Sequence, residues 1–345
     1  MVQYQLKLRT TQAQDAVLRE WLWCGTGIWN WANQKFKNDD TLTAIDLSNQ
    51  TKGHATKIGF PAGAFQSLLA NVFGSWERHR TGVSKAPHLK GARRKLNSIP
   101  FKDPIKLHVG NQVMIPVLGR IRYHKQVLPQ GKIKCGRLIL RASGWYLCLF
   151  IDTFRNRIEA NGVRQAVGID PGFNSLLTLS NGEKIRHPRE LEASAGQLAK
   201  TQRGNGKKKT ARLHERIANQ KKGRNHKLSL KLVQRFSTIY FSKDNIKGIA
   251  NKFGKSVSSS NHYQLRNMLA YKSLAGGTEY IEVDSRNSTR TCSSCGASTG
   301  PAGLAGLKVR SWVCSACGSQ HDRDVNAAIN TLNFGVGRTL EMRAA

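Results

Sequence analysis

The sequence predicts an α/β protein flanked by smaller modules, and three observations carry that reading. The stretch Ala166-Val167-Gly168-Ile169-Asp170-Pro171-Gly172 is a buried strand ending in a carboxylate, and later apolar strands alternate with helical runs. Ahead of it, residues 98–153 break into short alternating segments separated by Gly and Pro, the mark of a compact β-barrel or sandwich. Behind it, Cys292 and Cys295 form one C-x-x-C pair and Cys314 and Cys317 a second, with eighteen residues between the pairs.

From the N-terminus, Val2, Tyr4, Leu6 and Leu8 alternate as a strand with one buried face. Thr10-Thr11 offers a helix cap, and Ala13–Phe36 then carries apolar residues at helical spacing, with Trp21, Trp23, Cys24 and Trp29 assigned to the core. Residues 38–59 are polar and read as loop; Ala62–Trp76 is helical again. A basic run follows, in which Lys90, Arg93 and Arg94 are candidates for phosphate contact. After the strand ending at Asp170 comes a hairpin strand, Leu176–Leu179, and then a helical region over 190–235. Thr238–Phe241 is the next core strand, a helix runs through Leu265, Met268 and Leu269, and Glu279–Asp284 is a further strand. The last helix is expected over Val325–Phe334, with a frayed tail.

Charge narrows the partners. The 345 residues carry 55 Lys and Arg against 21 Asp and Glu, a net +34. Such a chain repels itself unless a polyanion neutralises it, so nucleic acid is the expected partner. Residues 203–235 alone hold twelve Lys or Arg against one acid, and Arg212, Arg216, Arg224 and Lys227 are the candidate phosphate ligands there. No apolar span or basic amphipathic anchor is evident, so no membrane partner is expected. The start, MVQYQLKLRTT, has no apolar signal core, and the expected location is cytoplasmic. Cys24, Cys135 and Cys148 lie in apolar stretches and read as buried thiols.

Two thiolate knuckles at this separation suit a tetrahedral zinc site, structural because four sulfurs leave no position for water. The order strand, hairpin strand, helices, strand, helix, strand, helix is that of a ribonuclease-H-like domain. In open α/β sheets, sites gather at the carboxyl ends of strands, where Asp170 stands; Asp324 opens the closing helix. Carboxylates meeting there can hold two Mg²⁺ ions for phosphodiester hydrolysis.

Together VGIDPG, NIKG, NSTRTCSSCG and HDRDVNAAIN make the chain resemble the TnpB family, transposon-encoded RNA-guided nucleases related to type V CRISPR effectors. The resemblance implies a wedge β-barrel (1–10 and 85–164) carrying an inserted helical recognition domain (11–84). It further implies a RuvC nuclease domain (165–290 and 319–336) interrupted by a Cys₄ zinc ribbon (291–318), and a tail (337–345). The implied partners are a guide RNA from the transposon end and target double-stranded DNA, in the nucleoid of a bacterium. The family's second motif usually ends in a glutamate, and here that position is Ser242. Three explanations stand: a relocated acid at Asp284 (or Glu282), substitution by Asp244, or a nuclease-inactive RNA-guided DNA binder. Asp170, Asp324 and Asp284 are taken as the catalytic set.

Overall fold

The apolar stretches collapse into two units, residues 1–154 and 155–345. The computed structural model describes residues 2–91, 95–102, 105–152, 158–160, 162, 164–187, 190–243, 251, 254, 256–284, 286–303 and 305–344. Arg93, Arg94 and Asp244, and the NIKG segment, lie outside the described residues.

In the first unit, β1 (Val2–Arg9) leads into α1 (Gln12–Asn38). Thr11 starts α1 with a capping box: its hydroxyl accepts from the Gln14 N–H, and the Gln14 side chain accepts from the Thr11 N–H. The presumed loop at 38–59 in fact holds α2 (Ala44–Gln50) and α3 (His54–Lys57) before α4 (Ala62–Arg80). The signal for α2 was legible: Thr43 and Asp46 form a second capping box. Strands β2 (Ser98–Phe101), β3 (Leu107–His108), β4 (Gln112–Ile115), β5 (Gly119–Tyr123), β6 (Lys132–Arg141) and β7 (Gly144–Asp152) complete the unit. With β1 they form one antiparallel sheet in the order β2-β6-β7-β1-β5-β4-β3, so β1 does join it. Pairing of β2 with β3 to close a barrel is absent among the described residues.

Strands and helices share one core, in which Leu6, Ile99, Leu138 and Leu147 pack with Leu18, Trp21, Phe65 and Leu69. Trp21 is buried as expected, but Trp23 is 69% exposed, because it falls on the opposite face of α1. Cys148 is buried; Cys24 and Cys135 are half-buried.

The second unit has a five-stranded sheet in the order β10-β9-β8-β11-β12. Its strands are β8 (Gln165–Pro171), β9 (Ser175–Leu179), β10 (Lys184–Arg186), β11 (Phe236–Ser242) and β12 (Glu279–Val283). β8, β11 and β12 are parallel, β9 and β10 antiparallel additions. The helical region resolves into α5 (Glu190–Ala193), α6 (Ala195–Arg203) and α7 (Lys207–Arg235), broken at Gly204-Asn205-Gly206, where Asn205 turns to φ 49°. α8 (His262–Gly276) and α9 (Arg323–Ala344) follow, α9 running well past the expected end at Phe334. β13 (Ser311–Val313) and β14 (Gln320–Asp322) form the small antiparallel ribbon, and β14 passes directly into α9.

Alternation along the strands assigns each face of this five-stranded sheet. Val167, Ile169, Leu177, Leu179, Ile239 and Phe241 share a buried cluster with Leu232 and Val233 of α7 and Leu265 and Leu269 of α8. The other face, with Gly168 and Tyr240, receives α9. A Cβ at Gly168 would stand 2.2 Å from the Ala328 carbonyl oxygen and 2.6 Å from the Leu332 nitrogen, so the helix backbone lies directly on the strand. Gly335 allows the same closeness to the Tyr240 ring.

Candidate acid site and metal centre

The register of β8, β9 and β10 sets out one row across the sheet: Asp170 opposite Thr178, and Thr178 opposite Lys184. Asp170 lies two residues beyond Gly168, on the same face, and so projects on the side covered by α9. Lys184 donates to Asp322 Oδ2 at 2.7 Å, and Asp322 is the residue before α9. The other oxygen of Asp322 caps that helix, accepting from the Asp324 N–H at 3.1 Å and the Val325 N–H at 3.0 Å. Asp170 and the helix start bearing Asp324 therefore come to the same end and the same face of the sheet.

Ser242 occupies the neighbouring place. Tyr240 pairs with Gly168 and Phe241 with Ile169, so Ser242 continues the register beside Asp170; it is 1% exposed. Ser242 in turn pairs with Val283, which puts Asp284 just past the end of β12. Asp284 is exposed and held by Arg286, whose guanidinium, followed by its backbone N–H, keeps the carboxyl below its ordinary range. Glu282 pairs with Phe241 and so faces α8, where it forms an ion pair with Arg266. That orientation turns Glu282 away from the face on which Asp170 lies. Asp324 itself is 3.5 Å from the Arg310 guanidinium.

Among the described residues, the four cysteines are the one set of three or more His, Cys, Asp or Glu side chains close enough to share a metal ion. All four sulfurs lie within 4.8 Å of one another, with Cys292–Cys317 and Cys295–Cys314 each at 3.7 Å. Tetrahedral zinc with Zn–S bonds of about 2.3 Å requires S···S separations of about 3.8 Å, so the donor set fits. Each knuckle closes with a Gly at positive φ, Gly296 at 78° and Gly318 at 75°. The Thr299 hydroxyl, donating to Cys314, draws that thiol down to about 6, and the Ser319 hydroxyl lowers Cys317. His321 Nε2 lies 3.1 Å from Cys292 Sγ, with its ring against Trp312.

Two residues that sequence reasoning treated only as helix formers tie the ribbon to α9. The side-chain amides of Asn326 and Asn330 both donate to the Ser288 and Thr291 carbonyls, at 2.7–3.1 Å, and Asn326 accepts from the Ser293 N–H. They are 1% and 2% exposed. Polar residues at i and i+4 in an otherwise apolar run were the available signal.

The candidate phosphate ligands separate. Arg212, Arg216 and Lys227 are exposed on α7, and with Lys231 they fall on one helical face about 28 Å long. Arg224 points inward instead: its guanidinium pairs with Glu190 at 3.0 Å, the two side chains being 14% and 12% exposed, and donates to the Ser260 carbonyl. Lys90 is stapled to α1. Its backbone exchanges two hydrogen bonds with the Asn30 side chain, and its ammonium sits 4.5 Å from the Trp29 ring. No described helix is long and apolar enough to cross a membrane.

Residues 156–251 match the OrfB_IS605 family, described as a probable transposase, and residues 262–331 match the Cas12f1-like TNB domain. A Streptomyces pristinaespiralis protein named "Putative RNA-guided DNA endonuclease" is 37% identical over 212 residues, 57% of this chain and 51% of that protein. The TnpB-like protein L79 of Acanthamoeba polyphaga mimivirus is 27% identical over 54% of this chain and 41% of its own length. The chain thus spans about half the length, or less, of these two relatives. A solved Cas12f1–sgRNA–target DNA complex superposes with TM-score 0.56 at 14% identity, covering 94% of this chain and 83% of that one, a likeness of fold.

Proposed function

With the resemblance to the TnpB family carried by these matches, we propose that the chain is an RNA-guided DNA endonuclease of an insertion sequence. The observation that supports it best is the convergence of two acid-bearing elements. Asp170 and the helix start bearing Asp324, 154 positions apart in sequence, share one end and one face of the sheet. Their oxygens are hard donors suited to Mg²⁺; Asp284, held by Arg286 and not gathered with them in this arrangement, would have to leave that arginine to serve as the third acid. Bound there, a pair of Mg²⁺ ions would activate water and stabilise the leaving oxygen of a phosphodiester. The protein's own part is to hold the two acids on separate rigid elements, a strand end and a helix start, and to present the strand to them. Cys292, Cys295, Cys314 and Cys317 would hold a structural zinc. The exposed α7 face with Arg212, Arg216 and Lys227 would contact phosphates of the guide–target duplex. Base pairing by the guide would supply sequence recognition, as RNA-guided effectors do in general. The guide would come from the transposon end.

A second reading has its own support. Ser242 stands beside Asp170 with a neutral hydroxyl, and Asp284 is solvent-exposed and engaged by Arg286. A guided DNA binder without cleavage follows if no third acid completes the site. Incubating the protein–RNA complex with matched target DNA and Mg²⁺ separates the two. Cleavage that disappears in Asp170→Ala and Asp284→Ala supports the nuclease; guided binding with no nick under Mg²⁺ or Mn²⁺ leaves only the binder.

A further inference from the structure

The contact between Lys184 and Asp322 is unusual in what it joins. Lys184 is on β10, an edge strand of the five-stranded sheet, and Asp322 ends the ribbon strand β14 at the threshold of α9. Lys184 sits in the same register row as Asp170, two strands away, or about 9.5 Å at the usual strand spacing. Asp322 is bonded on both oxygens, to the Lys184 ammonium through one and to the Asp324 and Val325 N–H groups through the other. The backbone of Asp324 and the row of Asp170 are thus linked by one side-chain bridge.

We propose that Lys184, acting through Asp322, is a positioning residue that sets the placement of Asp324 relative to Asp170. The inference rests on the nuclease reading, in which these two acids hold the divalent ions. Further down the helix, the spacing of α9 from the sheet is fixed by the backbone contact at Gly168, four to eight residues after Asp324. The first turn lies beyond that contact. There the capping carboxylate of Asp322 determines where the helix begins, and Lys184 determines where that carboxylate sits. The bridge is half-exposed, 36% and 41%, so its direct effect on folding stability is small. Its effect on a metal site is not bound by that limit, because residues that orient metal ligands change affinity by roughly 10–100-fold.

The test uses the full-length, zinc-loaded protein and Mn²⁺ as the probe, with bound ion counted by loss of the free-Mn²⁺ electron paramagnetic resonance signal. Lys184→Met is expected to raise the Mn²⁺ concentration for half-occupancy about tenfold or more, with the melting temperature nearly unchanged. Lys184→Arg, which restores the cation, is expected to return it close to wild type. Asp322→Asn keeps a cap acceptor and loses the charge partner, and is expected to behave like Lys184→Met. Wild-type affinity in Lys184→Met, or failure of Lys184→Arg to recover a loss, overturns the positioning role. If Mn²⁺ binding to the wild type does not depend on Asp170 at all, the nuclease reading falls and this inference with it. Binding that requires Asp170 but ignores Lys184 removes the inference alone.

Discussion

Replacing Gly168 by alanine tests the architecture at its tightest point. The added Cβ would stand 2.2 Å from the Ala328 carbonyl oxygen, 2.6 Å from the Leu332 nitrogen and 2.8 Å from the Leu332 Cβ. Ordinary contact begins near 3.4 Å, so about 1.2 Å must be recovered. Two of the three opposing atoms are backbone within a helix, which cannot turn aside as a side chain does. The strand is equally constrained, since β8 is paired on both sides, with β9 and β11. α9 must therefore lift. Overpacking of this kind costs roughly 1–3 kcal/mol. For a folding unit of this size that is a fall in melting temperature of roughly 2–12 °C. The same displacement carries Asp324 away from Asp170, and misplacement by about 1 Å costs on the order of a hundredfold in rate. Thermal unfolding of Gly168→Ala measures the first effect and, on the nuclease reading proposed above, guided DNA cleavage measures the second. A variant that melts and cleaves like the wild type would refute the packing of α9 on β8 described above.

Three further outcomes follow from the same geometry. Cys314→Ser, or chelation of the ribbon metal, should lower thermal stability and increase hydrogen exchange at residues 288–293, with Asn326 and Asn330 as the route to α9; exchange unchanged beyond the ribbon would disprove that coupling. His262 is pushed down to about 4 by burial, and an unfolded imidazole titrates near 6.5, so the unfolded chain binds the extra proton between those values. Stability should therefore fall as pH drops from about 6.5 to 4, by up to about 3 kcal/mol, and urea unfolding of His262→Phe should lose most of that dependence. On α7, Arg212→Ala and Arg216→Ala should each reduce the salt slope of nucleic-acid binding by up to about 0.9. Arg224→Ala should instead cost about 3–5 kcal/mol of stability by stranding Glu190, with the slope preserved; the reverse pattern would show the arginine assignments to be exchanged.

Much of the fold was legible because its signals are local. The strand ending at Asp170, the cap at Thr11 and the paired cysteines each depend on a few adjacent residues. Residues 38–59 read as loop because polar composition outweighed the α2 capping box, whose members Thr43 and Asp46 are three residues apart, while α3, starting at Gly53 without a side-chain cap, offers no such signal. Trp23 looked like a core residue because composition does not distinguish the two faces of a helix until the partner is known. Arg224 was grouped with the surface arginines for a related reason: it lies among cations, and its acid, Glu190, is 34 positions away. The placing of the candidate acids was legible in part. Asp170 and Asp324 could be named from their places at a strand end and a helix start. That Glu282 turns toward Arg266 depends on strand register, which only the assembled sheet fixes.

The two asparagines of α9 have a mechanical consequence. The ribbon leaves the sheet through residues 288–293, clasped by both amides, and returns through β14 without a linker before the helix. An insertion secured at both feet cannot swing as a tethered flap would. Any load applied to its tip is delivered to the base of α9, so whatever grips the ribbon also pulls on the first turn of that helix.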